Sequence, residues 1–178
     1  KPKLIAIEAI GGMDENELLA MTAAVEARSE HPLAHAIVSA ANERKLKLGE
    51  PENFEVQVGS GISAQVDGRS IVIGNAAQMQ RIGVDPAPLN DAAEARRREG
   101  AGVMLVAVDG KLAGLVAVAD PIRANAREAI EALRKQGLRV IMLTGDNPTT
   151  AQVVANAVGG LDGVHAELKP DDKARIVG

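Results

Sequence analysis

The stretch SEHPLAHAIV, residues 29–38, places a carboxylate and an imidazole directly before a proline. Proline pushes the preceding residue, His31, away from helical backbone angles toward an extended conformation. Pro32 itself suits the first turn of a helix, because its missing N–H leaves no hydrogen bond unmade there. The sequence therefore predicts Glu30 and His31 at the entrance of a helix that runs from Pro32 to about Arg44.

His31 and His35 lie four residues apart, a spacing that can bring two imidazoles together on zinc. The residue after His31 is Pro32 and not the glutamate of an H-E-x-x-H motif, and His31 is expected to precede the helix. We therefore predict no metal site here, with His35 an ordinary residue at the surface or the core edge.

Two glycines, Gly59 and Gly61, form a second candidate site. The segment Gly59–Ala64 matches G-x-G-x-x-A, but a dinucleotide fingerprint needs a helix next, and alternating residues predict a strand instead. Two readings stay open: glycines that let the backbone approach a flat ligand, or a bulge or tight turn. Gly74-Asn75 ends another strand, and Asn75 either offers an amide to the same cavity or simply caps a helix.

Thr144-Gly145-Asp146 follows an apolar segment, residues 138–143, that reads as a parallel strand. The carboxyl ends of such strands face the crevice where α/β sheets bind ligands. A hydroxyl, a glycine and a carboxylate there suit a phosphoryl group with Mg²⁺ nearby, and the alternative is an ordinary capped turn. Lys169 and Lys173, near another helix start, could neutralise phosphate charge or simply be solvated.

The amino-acid composition limits the classes of protein to which the chain can belong. The chain of 178 residues is 46% hydrophobic, carries a net charge of −4 and contains no cysteine. These values predict a soluble, cytosolic polypeptide with a real core, without disulfides and without nucleic acid as a partner. With Phe54 as the only aromatic residue, a planar ligand finds little to stack on.

The elements that must position these residues follow from periodicity. Asp14 and Glu17 resemble a capping box before a first helix. Residues 54–58, 62–66 and 71–73 alternate as strands, and residues 103–108 and 112–118 form a second hairpin; Asp67-Gly68 and Asp109-Gly110 are the turns. Helices are expected over residues 76–81 and 91–99. Residues 1–117 are therefore predicted to mix helices with an antiparallel sheet.

After Asp120-Pro121 the pattern changes. A helix over residues 125–135, with Gly137 as its C-cap, precedes the apolar strand 138–143, and a further helix covers residues 148–158. Helix, apolar strand and helix indicate a parallel sheet covered on both faces. Residues 118–178 are thus predicted to be part of an α/β domain.

In this order and spacing, the motifs resemble the large cytoplasmic loop of a P-type ATPase, most closely the heavy-metal-transporting branch. The resemblance covers essentially the whole chain. It is carried by Ser29–Leu33, Gly59–Gly61, Gly74-Asn75, Asp120–Arg123, Thr144–Asp146 and Pro170–Lys173.

The resemblance implies an α/β fold: an α+β nucleotide-binding domain with an antiparallel sheet flanked by helices, residues 1–117, and a partial Rossmann-like, haloacid-dehalogenase-type phosphorylation domain, residues 118–178. The residues implied to line the adenosine pocket are Glu30, His31, Gly59, Gly61 and Asn75. The residues implied to act on the phosphoryl group are Thr144, Gly145, Asp146 and Lys173, with Asp120 and Arg123 at the domain hinge. ATP and Mg²⁺ are the implied cofactors.

In the parent protein, the resemblance implies a transmembrane metal-transport domain and an actuator domain as partners, with this part on the cytoplasmic side. Copper is the favoured ion, while zinc, cadmium or lead stay open. The family's Asp-Lys-Thr-Gly-Thr and Gly-Asp-Gly-x-Asn-Asp segments are absent from this sequence. The expectation is therefore a polypeptide that binds nucleotide and does not turn over ATP.

Two alternatives remain. A soluble haloacid-dehalogenase-like phosphatase with a cap domain would share the Thr-Gly-Asp and lysine elements, but it needs a nucleophilic aspartate after an early strand, and the first aspartate is Asp14. A regulatory or interaction module would use His31 and the two glycines only structurally.

Overall fold

The computed structural model describes residues 1–120 and 126–177, without the side chains of Pro170, Lys173, Ala174 and Val177. The chain divides into two compact units. One comprises Lys1–Arg96 and Ala101–Asp120, and the other comprises Arg97–Gly100 with the described residues that follow position 125. The identification of these units as nucleotide-binding and phosphorylation domains stays a prediction.

The first unit is built on a six-stranded antiparallel sheet with the order β1-β6-β5-β4-β3-β2. Its strands are β1 (Lys3–Ala9), β2 (Pro51–Gln57), β3 (Gly61–Val66), β4 (Arg69–Gly74), β5 (Gly102–Val108) and β6 (Lys111–Ala119). Its helices are α1 (Glu15–Glu26), α2 (Ala34–Glu43), α3 (Ala76–Arg81) and α4 (Asn90–Arg98), with a short 3-10 helix over Ala87–Leu89.

Helices cover both faces of this sheet, which confirms the predicted antiparallel sheet flanked by helices. Alternate residues of β5 belong to different cores: Val106 and Val108 pack in the cluster that contains α1 and α2, whereas Leu105 and Ala107 pack with α3 and α4. Because successive side chains of a strand point to opposite faces, the nearly continuous apolar sequence of β5 is explained by burial on both sides.

The two predicted hairpin turns are confirmed. Asp67 and Gly68 have φ angles of 51° and 76°, and Asp109 and Gly110 have 50° and 76°. Two successive positive φ angles are those of a type I′ turn, whose twist matches that of the flanking strands.

Several boundaries differ from the prediction. Helix α2 begins at Ala34 and not at Pro32, because Pro32 and Leu33 form a turn in which the Ala34 N–H donates to the His31 carbonyl oxygen at 3.0 Å. Asp14 caps α1 by accepting from the backbone N–H groups of Asn16 and Glu17. The Glu17 carboxylate, however, contacts Arg69 at 2.8 Å, so the pair with Arg69 takes the place of the full capping box.

The second unit contains α5 (Ala126–Lys135), β7 (Ile141–Leu143), α6 (Pro148–Val158), β8 (Gly163–His165) and α7 (Pro170–Val177). Strands β7 and β8 pair in parallel, as the helix–strand–helix pattern predicted. Strand β7 is shorter than the predicted strand 138–143. Among the described residues no helix is long and apolar enough to cross a membrane.

Candidate functional site

A cavity of about 770 Å³ lies at one end of the antiparallel sheet. The end of β2, the start of β3, the end of β4 and the start of β5 meet there, because neighbouring strands run in opposite directions. The segment between α1 and α2 contributes the other wall. The volume lies in the range of small-molecule sites. The sheet therefore brings together three predicted motifs that are distant in sequence: Glu30-His31, the glycine pair Gly59 and Gly61, and Asn75 all line this one cavity.

His31 lies at the rim of the cavity and is held by its own chain. The backbone N–H of Leu33 donates to His31 Nδ1 at 3.2 Å, and the His31 N–H donates to Ser29 Oγ at 3.1 Å. Because Nδ1 accepts a hydrogen bond, the neutral ring carries its proton on Nε2. Nε2–H is thus the group that this ring can offer to a ligand. Glu30, beside it, is exposed at the same rim.

Glu26 is a site residue that sequence reasoning missed. It is the last residue of α1, it lines the cavity, and only 3% of its surface is exposed. Its Oε2 has no hydrogen-bond partner among the described residues. Burial raises the pKa of the Glu26 carboxyl to about 7, against a smaller lowering by a hydrogen bond from Ser29. A buried carboxyl oxygen without a partner is costly, so a ligand that donates a hydrogen bond to it gains that energy.

The only sequence signal for Glu26 was a carboxylate among apolar residues in the last turn of a helix. Its helical neighbours Thr22, Ala23 and Val25 are all buried. A charged residue on such a surface is rare unless it is paired or functional.

The glycines have structural roles that favour the tight-turn reading. Gly59 has a φ angle of +79°, and no described atom lies within 4 Å of the position that a Cβ would occupy. At Gly61, a Cβ would lie 2.2 Å from the carbonyl oxygen of Ile73, so the close approach here is to strand β4. Gly59 leaves space open at the cavity rim, whereas Gly61 is required by strand pairing.

Asn75 is the N-cap of α3, and its Oδ1 accepts from the Gln78 N–H at 2.9 Å. Its Nδ2 also lies 3.5 Å from the Gly59 carbonyl oxygen, and its backbone N–H donates to the Ser60 carbonyl oxygen at 3.1 Å. Asn75 thus joins α3 to the glycine turn. The capping alternative is what the structure shows, and a ligand contact by this side chain stays a prediction.

The apolar part of the cavity includes Phe54, which is half-buried, together with Leu33, Ile62 and Met104. The single phenylalanine of the chain, which has no tyrosine or tryptophan, therefore lies at this site. An apolar wall with a few polar groups at its edge is the usual make-up of a pocket for a flat organic ligand.

In the second unit, Thr144, Gly145 and Asp146 follow β7 directly, as predicted. The Thr144 hydroxyl donates to Asp146 Oδ2 at 2.9 Å and accepts from the Asp146 N–H at 3.1 Å. Asn147 caps α6 by accepting from the Thr150 N–H at 2.9 Å. Asp146 is exposed. The segment presents an exposed carboxylate and a half-buried hydroxyl beside a helix N-terminus, where negative charge is stabilised.

The family model of the haloacid dehalogenase-like hydrolases matches residues 6–178 of this chain. The chain belongs to this family. It is 46% identical over 177 residues to a copper-transporting P-type ATPase of Rhizobium leguminosarum bv. viciae, covering 99% of this chain and 21% of that protein. The chain thus spans about a fifth of the length of that relative.

Two solved structures extend the comparison. A zinc-transporting PIB-type ATPase in its E2.Pi state has a TM-score of 0.78 and 36% identity, over 99% of this chain and 28% of that one. The N-domain of HMA6, a copper-transporting P-type ATPase, has a TM-score of 0.56 and 29% identity, over 66% of this chain and 97% of that one. These matches confirm the resemblance to heavy-metal P-type ATPases.

For this haloacid dehalogenase-like chain, three further predicted residues were Asp120, Arg123 and Lys173. Asp120 is exposed, and its carboxylate lies 2.5 Å from the amino group of Lys1. Arg123 and the side chain of Lys173 lie outside the described residues. Their predicted roles stay predictions.

The side chains of this family member offer few ligands for magnesium. Among the described residues no three His, Asp or Glu side chains converge on one point. Mg²⁺ usually takes one or two carboxylates together with substrate phosphates and water. Asp146 can supply one carboxylate, so the described part of this chain fits magnesium only as one ligand among several.

A second cavity of about 620 Å³ lies beside the end of α6 and is lined by Arg127, Arg134 and Lys135. Arg127 lies close to Gly159 and Arg134 lies close to Gly160, directly after the C-terminus of α6. Cations are favourable at a helix C-terminus, so their position is explained by the helix dipole.

Proposed function

We propose that the cavity of the first unit binds the adenosine part of an adenine nucleotide. The observation that carries this proposal is the buried Glu26 carboxyl, whose Oε2 lacks a partner among the described residues and which lines a cavity with an apolar wall. The exocyclic amine of adenine is a hydrogen-bond donor on a flat apolar ring, and it would satisfy that oxygen. His31 Nε2–H and the Asn75 amide would contact the base or ribose at the rim, with Gly59 giving the backbone room.

We propose further that the chain is the ATP-binding portion of a copper-transporting P-type ATPase, which is a membrane translocase. The chain would lie on the cytoplasmic side of the membrane. In the parent protein its partners would be the transmembrane metal-transport domain and the actuator domain, and Asp120, Arg123, Thr144, Gly145, Asp146 and Lys173 would act on the phosphoryl group. The name of the relative with 46% identity supports copper. Stimulation of ATP hydrolysis of the whole parent protein by Cu(I) but not Zn(II) tests the ion.

Because the sequence contains no Asp-Lys-Thr-Gly-Thr segment, this polypeptide is proposed to bind nucleotide without turning over ATP. Phosphoryl transfer depends on positioning, and without the acceptor aspartate there is no group to receive the phosphate. With one half-buried aromatic ring, we expect micromolar to millimolar affinity, which corresponds to about −8 to −4 kcal/mol.

The test is calorimetric titration with a non-hydrolysable ATP analogue of the wild-type chain and of two matched variants, E26Q and E30Q. Each variant replaces one carboxylate with an amide of similar size. E26Q is expected to bind more weakly, because its neutral amide oxygen is a weaker acceptor than the buried carboxylate, and E30Q only slightly more weakly, because Glu30 is exposed. Equal binding by wild-type and E26Q protein would contradict the proposal, and His31→Ala tests the imidazole in the same way.

A phosphatase of the haloacid dehalogenase class is the second candidate, favoured by the family match over residues 6–178. Strand β1 carries no aspartate and belongs to the antiparallel sheet, and Asp14 is occupied as the cap of α1. Measurable hydrolysis of a phosphate monoester by this polypeptide would favour it. A regulatory module without nucleotide binding would show no change of the backbone amide signals of His31, Gly59 and Gly61 with any nucleotide.

A further inference from the structure

Gln78 is a buried polar residue that takes no part in the proposed nucleotide contacts. It lies in α3, only 1% of its surface is exposed, and its side-chain Oε1 has no hydrogen-bond partner among the described residues. Its Nε2 donates to Oε1 of Gln57, the last residue of β2, which is half-buried and lines the cavity. A buried amide with an unpaired oxygen costs free energy, so packing alone does not account for a polar side chain here.

The register of the sheet allows the two amides to meet. Gln57 pairs with Gly61 in β3, and Gly61 pairs with Gly74 in β4, so these three residues form one row across the sheet. Residues that lie directly opposite each other place their side chains on the same face. A Cβ at Gly74 would lie 2.9 Å from Gln78 Cβ, so Gln78 packs directly against that glycine. Because the two glycines carry no side chain, the Gln57 amide reaches Gln78 across them.

The bond between the two glutamines closes a ring of hydrogen bonds. The Ser60 N–H donates to the Gln57 carbonyl oxygen at 3.0 Å, and the Asn75 N–H donates to the Ser60 carbonyl oxygen at 3.1 Å. The Gln78 N–H donates to Asn75 Oδ1 at 2.9 Å. The ring therefore connects the glycine turn, residues 57–60, to the first turn of α3.

The glycine turn has little else to hold it. Gly59 has a φ angle of +79°, and no described atom lies within 4 Å of the position that its Cβ would occupy. Glycine also has more accessible backbone conformations than other residues. A turn that lines the cavity is thus held by hydrogen bonds and not by the packing of a side chain at Gly59.

We propose that Gln78 is a positioning residue, which acts through Gln57 to hold the glycine turn in the arrangement that accepts the nucleotide. The inference rests on the proposed binding of a nucleotide in this cavity. It assigns Gln78 no contact with the nucleotide itself.

This role separates binding from stability. Without the Gln57–Gln78 bond the turn samples further conformations, and the apparent affinity falls with the fraction of molecules that keep the binding arrangement. Methionine at position 78 has a similar length and removes the unpaired oxygen, while the half-buried Gln57 amide can still bond to water. Gln78→Met is therefore expected to weaken nucleotide binding without lowering the stability of the fold.

The first experiment measures hydrogen exchange of the Ser60 and Asn75 backbone amides by NMR, in the 178-residue chain without nucleotide. We compare wild-type protein, Gln78→Met and Gln57→Met with the control Gln80→Met, because Gln80 lies in the same helix and is exposed. Both amides are expected to exchange several-fold faster in Gln78→Met and Gln57→Met and at the wild-type rate in Gln80→Met. The unfolding temperature of Gln78→Met should be equal to or above that of wild-type protein.

Two results of this experiment would overturn the proposal, whether or not a nucleotide binds. One is wild-type exchange of both amides in Gln78→Met. The other is a lower unfolding temperature of Gln78→Met with faster exchange throughout the six-stranded sheet, because Gln78 would then support the fold as a whole and not the turn.

The second experiment is calorimetric titration with the non-hydrolysable ATP analogue. Gln78→Met is expected to bind several-fold more weakly than wild-type protein, and Gln80→Met equally well. The double variant Gln57→Met/Gln78→Met should bind no more weakly than Gln57→Met alone, because both substitutions break the same bond. Wild-type affinity in Gln78→Met, or losses that add in the double variant, would overturn the proposal. Absence of nucleotide binding by wild-type protein would refute the proposed function and with it the role in binding, while the exchange rates still decide whether Gln78 holds the turn.

Discussion

The backbone N–H of Leu33 donates to Nδ1 of His31 at 3.2 Å, so the imidazole is held by the residue two positions after it. Pro32 lies between them; its ring fixes its own φ angle and restricts the backbone angles of His31 before it. The ring orientation at the cavity rim is thus a local property of the His-Pro-Leu segment. A His31 side chain without the hydrogen bond from Leu33 would lose more rotamer freedom on binding a ligand.

His31→Asn separates the two functions of this ring. The asparagine Oδ1 can accept the Leu33 N–H in place of Nδ1, but the side chain does not reach the position of Nε2. We expect a stability close to that of wild-type protein and a clearly weaker nucleotide affinity, of the order of a lost hydrogen bond, about 1 kcal/mol. Thermal unfolding and calorimetric titration measure the two effects, and wild-type affinity in this variant would show that Nε2–H does not contact the nucleotide.

Glu26 should make the stability of the free protein depend on pH. The pKa of its carboxyl is about 7 in the folded state and 4.5 ordinarily, so the folded state binds the proton more tightly. The stabilisation is complete below about pH 4.5 and is lost as the pH rises to about 7, with a total of ~3 kcal/mol. Chemical denaturation across this range measures it.

E26Q is the control for that measurement, since glutamine resembles the protonated side chain and does not titrate. Other groups titrate equally in both proteins, so the difference between wild-type and E26Q isolates Glu26. E26Q should become the more stable protein above neutral pH. A constant difference across the range would contradict a buried carboxyl with a raised pKa.

Gly59 and Gly68 form a matched pair, with φ angles of +79° and +76° and open space at both Cβ positions. An alanine at either position carries the same left-handed backbone strain, about 1 kcal/mol. We expect similar losses of stability in G59A and G68A. Only G59A should also lose nucleotide affinity, because Gly59 lines the cavity and Gly68 lies in the turn at the opposite end of β3. Equal affinities in calorimetric titration would remove Gly59 from the site.

We predict that copies of the chain associate through the exposed apolar residues of strand β7 and the segment before it. Ile141 is 42% exposed and Leu138 is 53% exposed, and within the described part of the chain β7 pairs only with β8. An exposed apolar strand edge is a template for pairing with another chain. Light scattering is expected to show species larger than a monomer, and Ile141→Lys should shift them toward the monomer. A monomeric wild-type protein with protected amides in residues 138–143 would contradict this prediction.

Local pattern was sufficient for much of the fold. Alternating residues with an Asp-Gly pair predicted the β3–β4 and β5–β6 hairpins, and the bounds of α3 and α6 agree with their sequence signals. These features depend on neighbours within a few residues, such as the Asn75 and Asn147 caps. Strand β1 was not predicted, because its partner β6 lies more than a hundred residues later and supplies the hydrogen bonds that make it a strand.

The residues of the candidate site also fall into two groups, those that the sequence predicted and those that only the structure revealed. Motif spacing in the sequence identified His31, Gly59 and Asn75, and the resemblance of those motifs indicated nucleotide binding. The sequence offered only a weak signal for Glu26. It did not indicate the cavity position of Phe54, nor that the close approach at Gly61 is to Ile73 of the next strand. Turn and cap geometry is determined by short-range sterics and hydrogen bonds between residues that are close in sequence. The sequence alone is therefore sufficient to predict it. Burial and the ionisation of a buried carboxyl are decided by which distant surfaces meet, and only the folded chain determines that.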